Sequence, residues 1–379
     1  MNSSSIKPNA YLPDRVSPPG ETLADLLEER SMTQKELADR TGLSRKTVNQ
    51  IIKGKAPLSQ ETALVLEKAL GTPAGFWISR EKNYREFLAR AKAVKRQAAY
   101  IEWAKAFPYA AMVKKKWVEP AATPAEKTDR LLSFFGVATP KSWHELYARP
   151  QVVFRRSEKF GRKTEVISAW LRQGEILAER TPTVPYSEVK LTAALLQIRK
   201  LCADDAPNEF VPRMQSLCAE AGVLYLLVPE LSSLGVSGVT RWLGDRPLIQ
   251  QCLRFKTNDH FWFTFLHEAK HVLQNRRRHV FVEASGLAEK DIAHEEEADR
   301  FAAETLIPES AYRAFLVGEP FSRGGSPASG IEAIRQFAGS IDLHPGVVVG
   351  RLQREGVISY GHPAGQLKVK FEWTAPEEP

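Results

Sequence analysis

Residues 261–273 read FWFTFLHEAKHVL, an apolar run that holds His267, Glu268 and His271 in HExxH spacing. Residues four apart stand one turn above each other on a helix face, so both imidazoles can reach one ion, and zinc favours such nitrogen donors. Glu268 falls about a quarter-turn from His267 and is placed to hold a water, not the ion. Two histidines alone also fit a buried helix whose rings are satisfied by neighbours. A third ligand separates these readings.

That ligand comes from residues 294–306, HEEEADRFAAETL. Glu295, Ala298, Ala302 and Leu306 recur at helical spacing and form an inward stripe. A carboxylate at the head of an apolar stripe is costly to bury unless something positive receives it. Asp299, one turn after Glu295, is placed to accept a hydrogen bond from a ligand imidazole and fix its tautomer. Glu296 and Glu297 read as solvated, with a shift of the ligand role to either left open. The two helices are expected over about 264–274 and 293–306.

Upstream of this pair, Gly222 precedes the apolar run 223–228, and runs at 236–242 and 248–255 follow between turn residues, which reads as a small sheet. Residues 367–373 read as one further strand. A β-like run at 152–154 follows Arg149-Pro150 and opens this domain, taken as 151–379.

The beginning of the chain has a different character. Residues 1–20 mix Ser, Pro, Asn and Gly without periodicity and read as a disordered arm. Over 21–80 the apolar groups Leu23 and Leu27, Leu37 and Ala38, Val48 and Ile51, and Leu66 and Leu70 mark short helices that must pack as one all-helical domain. Thr33 and Glu36 form a capping-box pattern, Gly42 supplies a tight turn and Ser44 caps the next helix. This is a helix-turn-helix pattern, and Arg45, Lys46, Thr47, Asn49, Gln50 and Lys53 give its second helix a hydrogen-bonding outer face for bases and phosphates.

Composition agrees with such a chain. At 379 residues, 43% hydrophobic and 26% charged, it is neither wholly disordered nor a collagen-like or coiled-coil rod. Cys202, Cys218 and Cys252 have no CxxC spacing, which argues against disulfides or a cysteine zinc site and fits a reducing cytoplasm. No signal-like or membrane-spanning apolar stretch is present, so no membrane partner is expected. The formal charge of +8 is uneven: 11 basic against 9 acidic residues over 1–80, 19 against 8 over 81–163, and 23 against 28 over 164–379. Residues 81–150 therefore read as a basic helical connector, suited to a polyanion or simply a solvated basic face.

Residues 20–77, GETLADLL through GTPAGFW, resemble the helix-turn-helix of HigA-type antitoxins along nearly their whole length. The resemblance implies a homodimer on a palindromic double-stranded DNA operator, with Gln34 on phosphate and Ser44, Lys46, Thr47 and Gln50 nearest the groove. The HExxH and ExxAD strings look like a gluzincin. With FWFTFLHE, FAAETLIP and residues 222–255 and 347–353, they resemble more closely the ImmA/IrrE family of metallopeptidases.

Together the two resemblances cover well over half the chain. They imply a multidomain α+β protein whose zincin-like domain holds Zn2+ on His267, His271 and Glu295 and hydrolyses a peptide bond in a partner protein, with Glu268 as general base. The alternative is a non-catalytic repressor or antitoxin whose zinc domain senses a ligand or binds a toxin. Lys270 departs from the family, which has glycine there, and is expected to set a bulky cation beside the metal face. The strand ending near Phe255 is expected to be the edge on which substrate pairs. His260, His279, His294, Tyr312 and His344 are the candidates for an oxyanion helper, each equally readable as structural or exposed. Residues 331–353 carry a second helix-turn-helix-like pattern, read as a packing element.

Overall fold

The computed structural model describes residues 16–98, 100–148, 164–274, 289–318 and 327–372. Most of the N-terminal arm, the run at 152–154, the triplet Arg276-Arg277-Arg278 and His279 lie outside the described residues. The chain forms two compact units, Met1–Ile101 and Glu102–Pro379. The division falls inside the segment read as a connector: a long helix over Ala74–Ala98 belongs to the first unit, and residues 102–148 belong to the second.

In the first unit, helices α1 (Pro19–Glu29), α2 (Gln34–Thr41), α3 (Arg45–Ile52), α4 (Gln60–Leu70) and α5 (Ala74–Ala98) enclose one small core. Leu23, Leu37, Val48, Ile51 and Leu66 fill it, apolar positions that the helical spacing marks, together with Trp77, which it does not mark. Each helix is too short to persist alone, so this shared burial is what holds them. Thr33, Ser44 and Ser59 cap α2, α3 and α4 by accepting the backbone N–H of Glu36, Thr47 and Thr62. Gly42 ends α2 at φ 73°, a conformation that a Cβ disfavours, and so turns the chain into α3. The capping box is only half made: the Glu36 carboxylate accepts from Arg40 at 2.7 Å. An arginine one turn on competes with the Thr33 N–H for the same oxygens.

The second unit is built on three strands, β1 (Leu224–Leu227), β2 (Gly238–Leu243) and β3 (Arg246–Gln251), in the order β1-β3-β2. β3 pairs parallel with β1 and antiparallel with β2. Among the described residues it is therefore the central strand. The expectation of a substrate-pairing edge there is corrected, because both its backbone edges are already occupied.

Alternation along the strands serves two cores. Leu224, Leu226 and Leu248 face one, with Phe135, Trp143 and Trp170 from the helices Pro124–Phe135, Pro140–Trp143 and Thr164–Arg180. Tyr225 and Ile249 face the other, with Trp262, Phe265, Leu266, Val348 and Leu352. Trp170 is fully buried and its indole N–H donates to the Val228 carbonyl at 3.1 Å. Buried Arg241 of β2 ties the sheet to the same helix through Glu175 at 2.7 Å.

The functional side chains sit on three helices of the second core: a histidine helix (Asn258–Leu273), a glutamate helix (Glu289–Leu306) and an arginine helix (Pro345–Arg354). The histidine helix begins six residues before the expected start. Residues 363–367 form a short 3-10 turn, and Lys370 makes an isolated bridge to Thr257 in place of a further strand. The pattern at 331–353 supplies packing: Ile334, Ala338, Val347 and Val349 are buried in the same core.

Candidate functional site

On α3 and its two caps, Ser44, Arg45, Lys46 and Lys53 are exposed, whereas Thr47, Asn49 and Gln50 are half-buried. Asn49 donates to the Gln34 side chain at 3.2 Å, so these two polar residues lock α2 against α3 at the rim of the same face. Val48 and Ile51 turn inward. The face that remains carries short hydroxyl and amide groups flanked by cations, the mixture that contacts phosphates and base edges.

In the second unit, His267 and His271 project from successive turns of the histidine helix and Glu295 enters from the glutamate helix. The three ligand atoms lie within 4.8 Å of one another. The two Nε2 atoms are 3.0 Å apart, and the Glu295 carboxylate stands 3.2 Å from His267 Nε2 and 3.4 Å from His271 Nε2. Tetrahedral zinc with bonds near 2.0 Å has ligand–ligand edges of about 3.3 Å.

The far side of each ring is engaged. His267 Nδ1 donates to Asp299 at 2.9 Å and His271 Nδ1 donates to Gln274 Oε1 at 2.9 Å. With both Nδ1 atoms protonated, two imidazole lone pairs and a carboxylate converge on one buried point. Such a cluster requires a positive charge.

In the ion-free site that charge is a proton. Burial works against the charged form of His267, but hydrogen bonds to Asp299 and Glu295 and the charge of Glu268 outweigh it and push the ring up to about 10. Burial likewise raises Glu295, yet its bonds to the two imidazoles bring it down to about 2. Asp299 is also lowered: burial opposes the shift, and the His267 hydrogen bond and the Arg354 charge outweigh it. A divalent cation fits the same donors by replacing the proton.

Glu268 is buried behind this cluster, against β2. The Thr240 hydroxyl lies 2.7 Å from Glu268 Oε2 and 2.8 Å from its main-chain oxygen. Gly238, two residues earlier on the same strand face, leaves the space that the carboxylate occupies: a Cβ there would lie 2.8 Å from Glu268 Cγ and 2.9 Å from Oε1. Neither Gly238 nor Thr240 is marked by any motif spacing, and sequence reasoning missed both. It also missed Gln274, which the i, i+3 relation to His271 makes legible.

Lys270, expected to set a cation beside the metal face, is held by a carboxylate and a ring. Its ammonium reaches Glu297 at 2.8 Å and lies over the Phe301 ring. Glu297, read as solvated, thus has a cation on one oxygen and the Gln274 amide on the other at 3.0 Å.

A cavity of about 640 Å³ opens one turn earlier on the same helix face, where Phe263 and Thr264 precede His267 and Glu268 by four residues. Asp299 and Arg354 form part of its wall. The Arg354 guanidinium stacks over Phe263 at 4.0 Å and donates to Asp299 at 2.6 Å, so the cavity wall backs the His267 imidazole through Asp299.

Of the oxyanion candidates, His344 caps the arginine helix and contacts Asn258, and Tyr312 lies buried under Arg351. His260 stacks on Phe255 in the cavity wall. His294 lies near Glu297 at 3.9 Å.

Known proteins divide the chain in the same way. Residues 23–77 match the helix-turn-helix family. Residues 254–318 match a peptidase family described as the IrrE N-terminal-like domain. The chain thus joins a helix-turn-helix domain, the class that binds DNA, to an IrrE-like domain carrying the HExxH helix. The solved structure of an addiction module antidote protein of a HigA family from Coxiella burnetii is similar at 30% identity, over 22% of this chain and 90% of that one, with a TM-score of 0.21. No curated protein matches. Among the described residues, no helix is long and apolar enough to cross a membrane.

Proposed function

We propose that this protein is a cytoplasmic DNA-binding regulator whose second unit is a zinc-dependent endopeptidase acting on a partner protein. The observation that carries this reading is the convergence of His267, His271 and Glu295 within 4.8 Å, with both outer imidazole nitrogens already engaged. His267 and His271 through Nε2, and Glu295 through its carboxylate, would hold the ion. When bound, zinc supplies Lewis-acid activation of a water and of a peptide carbonyl.

The chain's own groups do the remaining work. Thr240 fixes the Glu268 carboxylate, which takes a proton from the attacking water and delivers it to the departing amine nitrogen as the C–N bond breaks. Asp299, held by Arg354, keeps His267 in its Nδ1–H form. The adjoining cavity of about 640 Å³ has room for side chains of an extended peptide and supports a polypeptide substrate.

Exposed Ser44, Arg45, Lys46 and Lys53, with Thr47 and Gln50 beside them, support operator binding through α3. Domains of this class bind as dimers on two-fold sites, and exposed Leu64 and Phe76 are apolar residues that a second copy would cover.

The test is a Glu268→Gln variant of the full chain. Zinc and DNA binding should persist while hydrolysis of the partner, followed by mass spectrometry of new termini, disappears. If cleavage and regulation continue unchanged, the enzyme reading is wrong. If the wild-type protein represses but generates no termini, the second unit is a non-catalytic sensor or toxin-binding domain.

A further inference from the structure

Each imidazole of the cluster is backed by a series of polar contacts that ends on a cation. For His267 the series is Asp299 and then Arg354, at 2.9 and 2.6 Å. For His271 it is Gln274, Glu297 and then Lys270, at 2.9, 3.0 and 2.8 Å. We infer that Lys270, acting through Glu297 and Gln274, is a positioning residue that orients His271 toward the ion. This rests on the metal-centre reading above and deepens it.

A carboxamide has one accepting and one donating end, and its neighbours decide which end faces which way. Gln274 Nε2 meets two acceptors, the His294 carbonyl at 3.2 Å and Glu297 Oε2 at 3.0 Å. Reversing the amide would set its oxygen against both. Its Oε1 is therefore fixed toward His271 Nδ1, which must carry the proton and leave the Nε2 lone pair directed into the cluster. The lock is only as firm as the placement of Glu297, whose side chain is half exposed on a helix surface. Lys270 supplies that placement: its ammonium grips the other Glu297 oxygen, and its stem is steadied where the ammonium lies 5.3 Å from the Phe301 ring centre.

A surface ion pair adds little stability by itself, so the effect falls on geometry. The sign of the effect separates two roles. A lysine that acts only as a positive charge near a divalent cation weakens binding, and its removal tightens the site. A lysine that positions His271 strengthens binding, and its removal loosens the site.

The experiment measures zinc affinity of the full chain by competition with a chromophoric chelator at fixed pH, using zinc alone as the probe. Gln274→Leu should weaken binding about 10–100-fold, the usual range for an outer partner of a metal ligand. Lys270→Met should weaken it at the lower end of that range, about 10-fold. Lys270→Arg, which keeps the ion pair, should restore affinity. Adding Glu297→Gln to Lys270→Met should cost little more, because both act through one path.

A second readout uses no metal: the ring nitrogens of His271, followed by 15N NMR, should report a single Nδ1–H tautomer in the wild type and a mixture in Lys270→Met. If Lys270→Met binds zinc as tightly as wild type, or more tightly, and its tautomer is unchanged, the inference is overturned. If the wild type itself binds no zinc, the metal-centre reading fails separately, and the tautomer comparison still decides the role of Lys270.

Discussion

Replacing Gly238 by alanine perturbs the proposed general base without touching a metal ligand. The added Cβ would lie 2.7 Å from Thr264 Cγ2, 2.8 Å from Glu268 Cγ and 2.9 Å from Glu268 Oε1. Carbon contacts are optimal near 3.5–4.0 Å, so each pair must separate by roughly 1 Å. Glu268 is buried and Thr264 half-buried on this face, and overpacking of that kind costs about 1–3 kcal/mol. The softest response is rotation of Glu268 away from Thr240, which gives up a hydrogen bond of 2.7 Å to a carboxylate. A displacement near 1 Å at a reacting group lowers turnover about 100-fold.

The assay is threefold: calorimetry of the full chain, zinc content after dialysis, and hydrolysis followed by new termini in the partner protein. The C-terminal transition should fall by roughly 2–12 °C. Zinc content should stay at the wild-type level, and hydrolysis should drop about 100-fold. A variant with wild-type stability and wild-type hydrolysis would refute the placement of Glu268 against β2. Loss of zinc in step with activity would show that Gly238 serves the ligands instead.

Four further outcomes follow. In the metal-free protein, His267 titrates near 10 against an ordinary 6.5, so its contribution to stability is complete below pH 6.5 and is lost as pH rises through about 10. Glu295, lowered from 4.5 to about 2, contributes fully above pH 4.5 and loses its effect as pH falls through about 2. Melting of chelator-treated protein should therefore weaken from pH 6.5 toward 10, a decline that zinc loading removes; an equal alkaline decline in both forms contradicts the pKa assignment.

Asp299→Asn should weaken zinc binding about 10–100-fold, read by the same chelator competition, and an unchanged affinity would mean that the His267 Nδ1 contact is incidental. Ser44→Ala removes the cap at Thr47 N and should lower the stability of the first unit by about 0.5–2 kcal/mol in urea titration. Lys46→Ala should weaken DNA binding on all sequences and lower the salt slope by about 1, whereas a Gln50→Ala change should alter which operators are preferred, as measured by fluorescence anisotropy.

Local signals were the legible ones. Thr33, Gly42 and Ser44 cap and turn the chain through contacts no more than a few residues away, and the structure places all three as their chemistry requires. His267 and His271 are brought together by helix geometry alone, and Glu295 is set inward by the burial of Ala298, Ala302 and Leu306. A misreading arose where a side chain had two partners available within the same reach. Glu36 has both the Thr33 N–H and Arg40, and the cation wins.

Strand order was not legible either. Apolar runs between turn residues mark all three strands, and only pairing across the chain makes β3 central. Gly238 and Thr240 reach the site from β2 and Arg354 from the arginine helix, with no periodicity to connect them to the HExxH helix.

In the proposed function, three side chains from two helices bind one divalent cation. Zinc should therefore be quantified by plasma mass spectrometry on the purified full chain and on Glu295→Ala, after exhaustive dialysis and with folding checked by circular dichroism. One zinc per chain in the wild type and almost none in folded Glu295→Ala is the predicted result. A folded wild type without zinc affinity, or a Glu295→Ala protein that retains zinc as tightly, would contradict it.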